Sequence, residues 1–358
     1  MNAELNEILK EAVSLQASDV FIIPGLPLTY KVLGKQERSG EVLYPKDTAN
    51  IVHAIYIACE RHARVIEDET LDDDFSFSVP SLGRFRANVF HQRSSLAVVL
   101  RVIQFALPDP HKLQIPDQVM GAADYHSGLI LVTGATGSGK STTLACMIDR
   151  INRTREGHII TMEDPIEFVH RHDRCIVTQR EIGNDVPDYV HALRSALRES
   201  PDVILLGEMR DHETIEVAMT AAETGVLLFS TLHTQGAANA VDRIIDIYPA
   251  GQQNQIRLQL AMMLRCVISQ QLIPTVDGAV AAVFEVMNAN TAIRSLIREA
   301  KTHQIDATIR SGSGEGMIAM DDSIFRLYQQ GKISRDTAVQ YCINTEGMER
   351  RLQVSAGF

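Results

Sequence analysis

Two rhythms of apolar and polar positions divide the chain. Over residues 1–107 the apolar positions come in short runs, mostly alternating with polar ones: VFII (20–23), LTYKVL (28–33), DFSFSV (74–79), RFRANVF (84–90) and LAVVLRVI (96–103). Period-two alternation marks half-buried strands, and Pro24, Gly25, Pro27, Gly34, Pro80 and Gly83 punctuate them. A helical spacing of apolar residues from Leu5 to Leu15 precedes the first run. Together these predict a small α+β unit. The stretch Ala106–Pro116, ALPDPHKLQIP, carries three prolines and few apolar anchors, and reads as a linker. The boundaries expected are 1–107 for the first domain, 108–119 for the linker and 120–358 for the second domain.

From Ser127 the strands become nearly continuous apolar runs: LILVT (129–133), HIITM (158–162), VILLG (203–207) and VLLFSTL (226–232), with AVAAVFEVM (279–287) as a further candidate. Helical patterns follow or intervene, among them STTLACMIDRIN (141–152), VHALRSALRES (190–200) and HETIEVAMTAAET (212–224). Apolar strands alternating with helices predict an α/β layer built on buried parallel strands. The tail after Asn288 reads as helical, with a GSGEG loop at 312–316.

Composition narrows the class without naming a function. Of the 358 residues, 45% are hydrophobic and 22% charged, which excludes disordered and fibrous chains. Acidic residues (45) outnumber Lys plus Arg (34), for a net charge of −11, which argues against a nucleic-acid coat. The five cysteines are scattered, with no CxxC pair, so free thiols in a reducing cytoplasm are expected. No apolar run approaches the ~20 residues of a membrane span, and the start lacks a signal-peptide core.

The strongest chemical signal is GATGSGKS, Gly134 to Ser141, placed between a predicted strand and a predicted helix. Gly134, Thr136, Gly137, Ser138, Gly139, Lys140, Ser141 and Thr142 form the candidate phosphate cradle. Its glycines let backbone N–H groups face phosphate oxygens, Lys140 reaches the β- and γ-phosphates, and the Ser141 hydroxyl can ligate Mg²⁺. DVILLGEMRD (202–211) ends a strand on Glu208, with Gly207 where an aspartate usually stands. Glu208 is expected to act on Mg²⁺ or on the attacking water. ITMEDPIEFVH (160–170) ends another strand on Glu163, the best candidate to take a proton from that water, and on Asp164, which serves equally well as a turn residue. STLHT (230–234) sets His233 at a fourth strand end, where an imidazole can sense a γ-phosphate. Arg84, Arg86 and Arg101 lie on strands of the first domain. Such arginines usually pair with acids, but one supplied across a subunit boundary would stabilise transition-state charge.

Taken together, TGATGSGKSTTLA, ITMEDPIEFVH, SPDVILLGEMRD and TGVLLFSTLHT resemble the Walker A, Asp box, Walker B and His box of the type II and type IV secretion and pilus ATPase superfamily. SDVFI, RFRANVFHQR, QREIG, RIIDIYP and AIRSLIREAKTHQI extend the resemblance over almost the whole chain. The last of these is similar to a segment of the pilus retraction (PilT) group. The resemblance implies an N-terminal PAS-like domain, a RecA-like P-loop ATPase domain, ATP and Mg²⁺ as cofactors, and a homohexamer. It assigns Lys140 and Ser141 to the P-loop, Glu163 and Glu208 to catalysis, His233 to the His box, and Arg86 and Arg101 to phosphate contact. Gly207 is normal in that superfamily. Assembly-type relatives generally carry a long N-terminal extension and a CxxC metal site, which this chain lacks, so the resemblance favours a retraction motor or an accessory retraction paralogue.

The expectation is therefore a cytoplasmic hexameric motor, peripheral at the inner membrane, that couples ATP hydrolysis to type IV pilus retraction and docks on a membrane platform protein. It binds no nucleic acid and inserts no segment in the bilayer. Competing readings are a secretion or DNA-transfer motor of the same superfamily, a RecA-like DNA translocase, and a nucleotide-dependent scaffold with little turnover.

Overall fold

The computed structural model describes residues 3–68, 70–80, 82–103 and 107–356. The chain divides into two compact units: Met1–Ala106 with Glu167–Val169, and Leu107–Ile166 with His170–Phe358.

In the first unit the alternating runs become an antiparallel sheet. Its strands are β1 (Asp19–Ile22), β2 (Pro27–Val32), β3 (Lys35–Val42), β4 (Asp73–Val79), β5 (Gly83–Gln92) and β6 (Ser95–Ile103), in the order β3-β2-β1-β6-β5-β4. Alternation puts Phe75, Phe77, Phe85, Ala87 and Val89 on one buried face, against the helices Ala3–Ser14 and Pro45–Cys59. Burying one such side chain contributes about 1.5–3 kcal/mol. β3, KQERSGEV, escapes the pattern because it is an edge strand exposed along most of its length. Its charged side chains fit the way natural sheets discourage further pairing along an open edge.

The second unit is a seven-stranded sheet of β7 (Gly128–Thr133), β8 (Gly157–Glu163), β9 (Cys175–Glu181), β10 (Val203–Leu206), β11 (Leu227–Leu232), β12 (Leu264–Pro274) and β13 (Val280–Asn288). The order is β13-β12-β7-β11-β10-β8-β9, and every pairing is parallel except β12 with β13. β7, β10 and β11 are buried at every position, as strands covered by helices on both faces must be. β8, β10 and β11 lie to one side of β7, and β12 and β13 to the other. β7 thus stands where the strand order changes direction, the place where open α/β sheets bind ligands beyond their carboxyl ends.

The segment read as a linker, 108–119, packs on the second unit: Ile115 and Val119 are buried in its core beside Ile148 and Phe284. In the tail, the helix Thr291–Arg298 buries Ile293 and Ile297 against the core. Ser313–Glu315 in the GSGEG segment forms a 3-10 turn.

Candidate active site

The carboxyl ends of four adjacent strands, β7, β11, β10 and β8, carry the chemistry. β7 runs into Gly134–Gly139, and the helix Lys140–Thr154 follows, burying Thr143, Leu144, Met147, Ile148 and Ile151. Gly134 is held at φ +144, where an added Cβ would come within 2.3 Å of the Gln270 carbonyl oxygen and 2.7 Å of Ser138 Oγ. A loop folded this tightly turns its amides inward at the start of a helix, whose dipole adds positive potential. Lys140 Nζ donates to the carbonyls of Gly134 (2.9 Å) and Ala135 (3.0 Å), which places the ammonium over the cradle. The Ser138 and Thr133 hydroxyls are buried there with no hydrogen-bond partner among the described residues. A phosphate oxygen or a water would satisfy them.

His233 joins three of the predicted motifs. Its Nδ1 lies 3.5 Å from Thr136 Oγ1 in the P-loop, and its Nε2 lies 3.1 Å from Glu208 Oε2. The other Glu208 oxygen meets Arg210 at 2.5 Å. The Glu208 side chain is only 11% exposed while that of Arg210 is 71% exposed, so the arginine forms a lid on the carboxylate. Behind it, Thr231 Oγ1 donates to the Gly207 carbonyl at 2.6 Å and Met209 N to the Thr231 carbonyl, tying β11 to the loop after β10.

Glu163 ends β8. Its Oε1 accepts from Thr161 Oγ1 (2.6 Å) and Gln179 Nε2 (3.2 Å), and Gln179 also accepts from the His170 backbone amide. Gln179 is thus the side chain on β9 that orients Glu163. Burial pushes His170 down to about 4 and keeps its imidazole neutral. Asp164 opens the turn that follows, and its peptide bond to Pro165 is cis.

Sequence reasoning missed Gln270 and its surroundings. Gln270 is buried on β12, accepts from Thr143 Oγ1 at 2.8 Å, and sets its amide where a Gly139 Cβ would fall. Beside it opens a cavity of about 540 Å³ lined by Gly139, Thr142, Thr143, Gln270, Leu272 and Lys332. The polar triplet SQQ breaks the apolar run of β12, so the strand has no continuous hydrophobic signature.

Arg86 and Arg101 lie in the first unit, directly opposite each other on β5 and β6. Arg86 forms a two-pronged pair with Asp74, at 2.8 and 2.5 Å, and Arg101 Nε reaches Asp19 at 3.1 Å. These acids offset the repulsion between two facing guanidinium groups. Arg84 donates to Ser78 Oγ.

The profile of the type II/IV secretion system protein family matches residues 1–340. The chain belongs to that family. Secretion ATPases of this family are ATP-hydrolysing enzymes, and the α/β class and two-part plan expected from the motifs are those of the structure. The chain is 43% identical over 335 residues to the type IV pilus retraction ATPase PilT of Pseudomonas aeruginosa, covering 94% of this chain and 97% of that one. It is 36% identical over 356 residues to the type IV pilus ATPase PilU of the same organism, covering 99% and 92%. A crystal structure of the pilus retraction motor PilT with bound ADP matches with TM-score 0.87 at 44% identity, over 96% of this chain and 98% of that chain. Among the described residues no helix is long and apolar enough to cross a membrane.

Proposed function

We propose that this chain is a mechanochemical ATPase that retracts type IV pili. The observation that carries the reading is the Thr136–His233–Glu208 contact line, which links P-loop, His box and Walker B strand ends, in a chain similar to PilT over nearly its whole length. The protein works as two domains, 1–107 and 120–358, with 108–119 between them, assembled as a homohexamer. It is cytoplasmic and docks through protein contacts on an inner-membrane platform protein.

In the site, the 134–139 amides and Lys140 bind the β- and γ-phosphates, with Ser141 and Thr142 opening the helix beside them. The 540 Å³ cavity beside Gln270 and Leu272 takes the nucleoside. The donor set suits Mg²⁺, because the Ser141 hydroxyl and the Glu208 carboxylate are hard oxygens and this ion binds one or two protein groups together with phosphates. When bound it supplies neutralisation of phosphate charge. Glu163, held by Thr161 and Gln179, accepts a proton from the attacking water. His233 reads the γ-phosphate at Thr136 and passes its loss to Glu208 and its Arg210 lid. Arg86 and Arg101 supply positive charge to phosphate from the N-terminal domain.

Steady-state ATP hydrolysis by purified protein tests this. Lys140→Ala is expected to lose nucleotide binding, while Glu208→Ala retains binding and oligomeric state but loses turnover. Full turnover in Glu208→Ala sinks the assignment, and DNA-stimulated turnover with a steep salt dependence would favour a translocase instead.

A further inference from the structure

Gly207 has a spatial reason to be glycine. It is absent from the residues with positive φ, so its backbone conformation does not require one. The obstacle is space: a Cβ built there would lie 2.8 Å from the Tyr189 hydroxyl, 3.2 Å from the Met162 carbonyl and 3.5 Å from Glu163 Cα. The phenol oxygen therefore stands against the position from which a Walker B aspartate would project. Tyr189 is the first residue of the helix Tyr189–Ala196, whose N-cap Asp188 accepts from the His191 amide, and its ring packs on the core of the second unit. The ring is fixed while the hydroxyl emerges among acids. Burial and the neighbouring Glu208, Asp164 and Glu163 carboxylates raise its pKa, so the phenol keeps its proton throughout the working range. No protein group among the described residues receives a hydrogen bond from it, which leaves the hydroxyl to water.

We propose that Tyr189 is a catalytic residue of the ATPase site, its hydroxyl replacing the missing aspartate and holding the attacking water between Glu163 and Glu208. This rests on the ATPase reading above. The water donates one hydrogen to Glu163 and the other to the Tyr189 oxygen, which turns a lone pair of the water oxygen toward the γ-phosphorus. In the step itself the water oxygen bonds to phosphorus and the bond from phosphorus to the β,γ-bridging oxygen breaks. ADP leaves with that electron pair, Glu163 takes the proton, and the phenol stays intact. A phenol that only filled core space would act through its ring, and removing the oxygen would leave catalysis unchanged.

Tyr189→Phe separates the two. Orientation of the nucleophile governs the rate, so kcat is expected to fall about 10- to 100-fold while KM for ATP and the affinity for a fluorescent ATP analogue stay within about twofold. Glu208→Ala is measured in parallel. If it loses turnover and Tyr189→Phe keeps wild-type kcat, the Tyr189 proposal is overturned and the ATPase reading stands. If Glu208→Ala itself turns over normally, the ATPase reading has failed first. The placement has its own check: Gly207→Ala is expected to lower the melting temperature, and Tyr189→Phe in the same chain to restore most of the loss. Equal losses with and without the phenol oxygen would overturn the placement.

Discussion

The tightest point in the phosphate loop is Gly134, and replacing it by alanine allows a worked test of the cradle. At φ +144 an L-residue sits in sparsely populated backbone space, which costs about 1–3 kcal/mol. The new methyl group would also meet the Gln270 carbonyl oxygen at 2.3 Å. That carbonyl cannot yield easily, because β12 is paired with β7 on one side and β13 on the other. Overpacking of this kind adds about 1–3 kcal/mol. The total, about 2–6 kcal/mol, is a large part of a domain's stability of about 5–15 kcal/mol. Gly137 provides the control: it too has positive φ, at +78, but an added Cβ would find nothing within 4 Å. Urea unfolding followed by circular dichroism should therefore place Gly134→Ala about 1–3 kcal/mol below Gly137→Ala, the difference being the clash alone. Equal stabilities, or a milder effect at Gly134, would refute the packing of the loop against β12.

Arg86→Ala and Arg101→Ala should each reduce ATP turnover at least about tenfold. Because their ion pairs with Asp74 and Asp19 are substantially exposed, stability should change by less than about 1 kcal/mol; a loss of stability without loss of turnover would make them structural. Arg294 donates to the carbonyls of Ala289, Met262 and Leu264, so Arg294→Leu should cost about 2–4 kcal/mol by thermal or urea unfolding, whereas exposed Arg298→Ala should stay within about 0.5 kcal/mol. His170 is held neutral by burial, its pKa lowered from 6.5 to about 4. Its contribution is complete above about pH 6.5 and is lost as pH falls toward 4, up to about 3 kcal/mol. His170→Gln should flatten the pH dependence of stability in that window, and an unchanged acid limb would exclude His170 as its source.

The parts of the molecule that were legible in the sequence are those where one physical rule dominates. β7, β8, β10 and β11 are buried on both sides, so their apolar runs announce them, and the glycine spacing of the P-loop reports a backbone that must approach phosphate. The strands β3, β9 and β12 were not readable. β3 buries almost nothing, β9 is an edge strand with Ile176 exposed, and β12 carries Gln270 inside the core to meet Thr143. Within 108–119 the prolines mark a break in regular structure, and they give no sign that Ile115 and Val119 enter the core of the second unit. Within the site, the strand-end acids and His233 were legible one at a time. Their mutual contacts, and the service of Gln179 and Tyr189, depend on neighbours distant in sequence. Gly207 shows the same limit: the sequence marks a missing aspartate, and only the fold shows the phenol that stands in its place.

The central claim is that ATP hydrolysis at this site withdraws a pilus, and fluorescently labelled pili watched on living cells test it most directly. In a strain lacking this chain, pili should extend and remain extended. The wild-type gene should restore shortening, and Lys140→Ala should not. Pili that shorten at the normal rate in the deletion strain, or with Lys140→Ala as the only copy, would contradict the account.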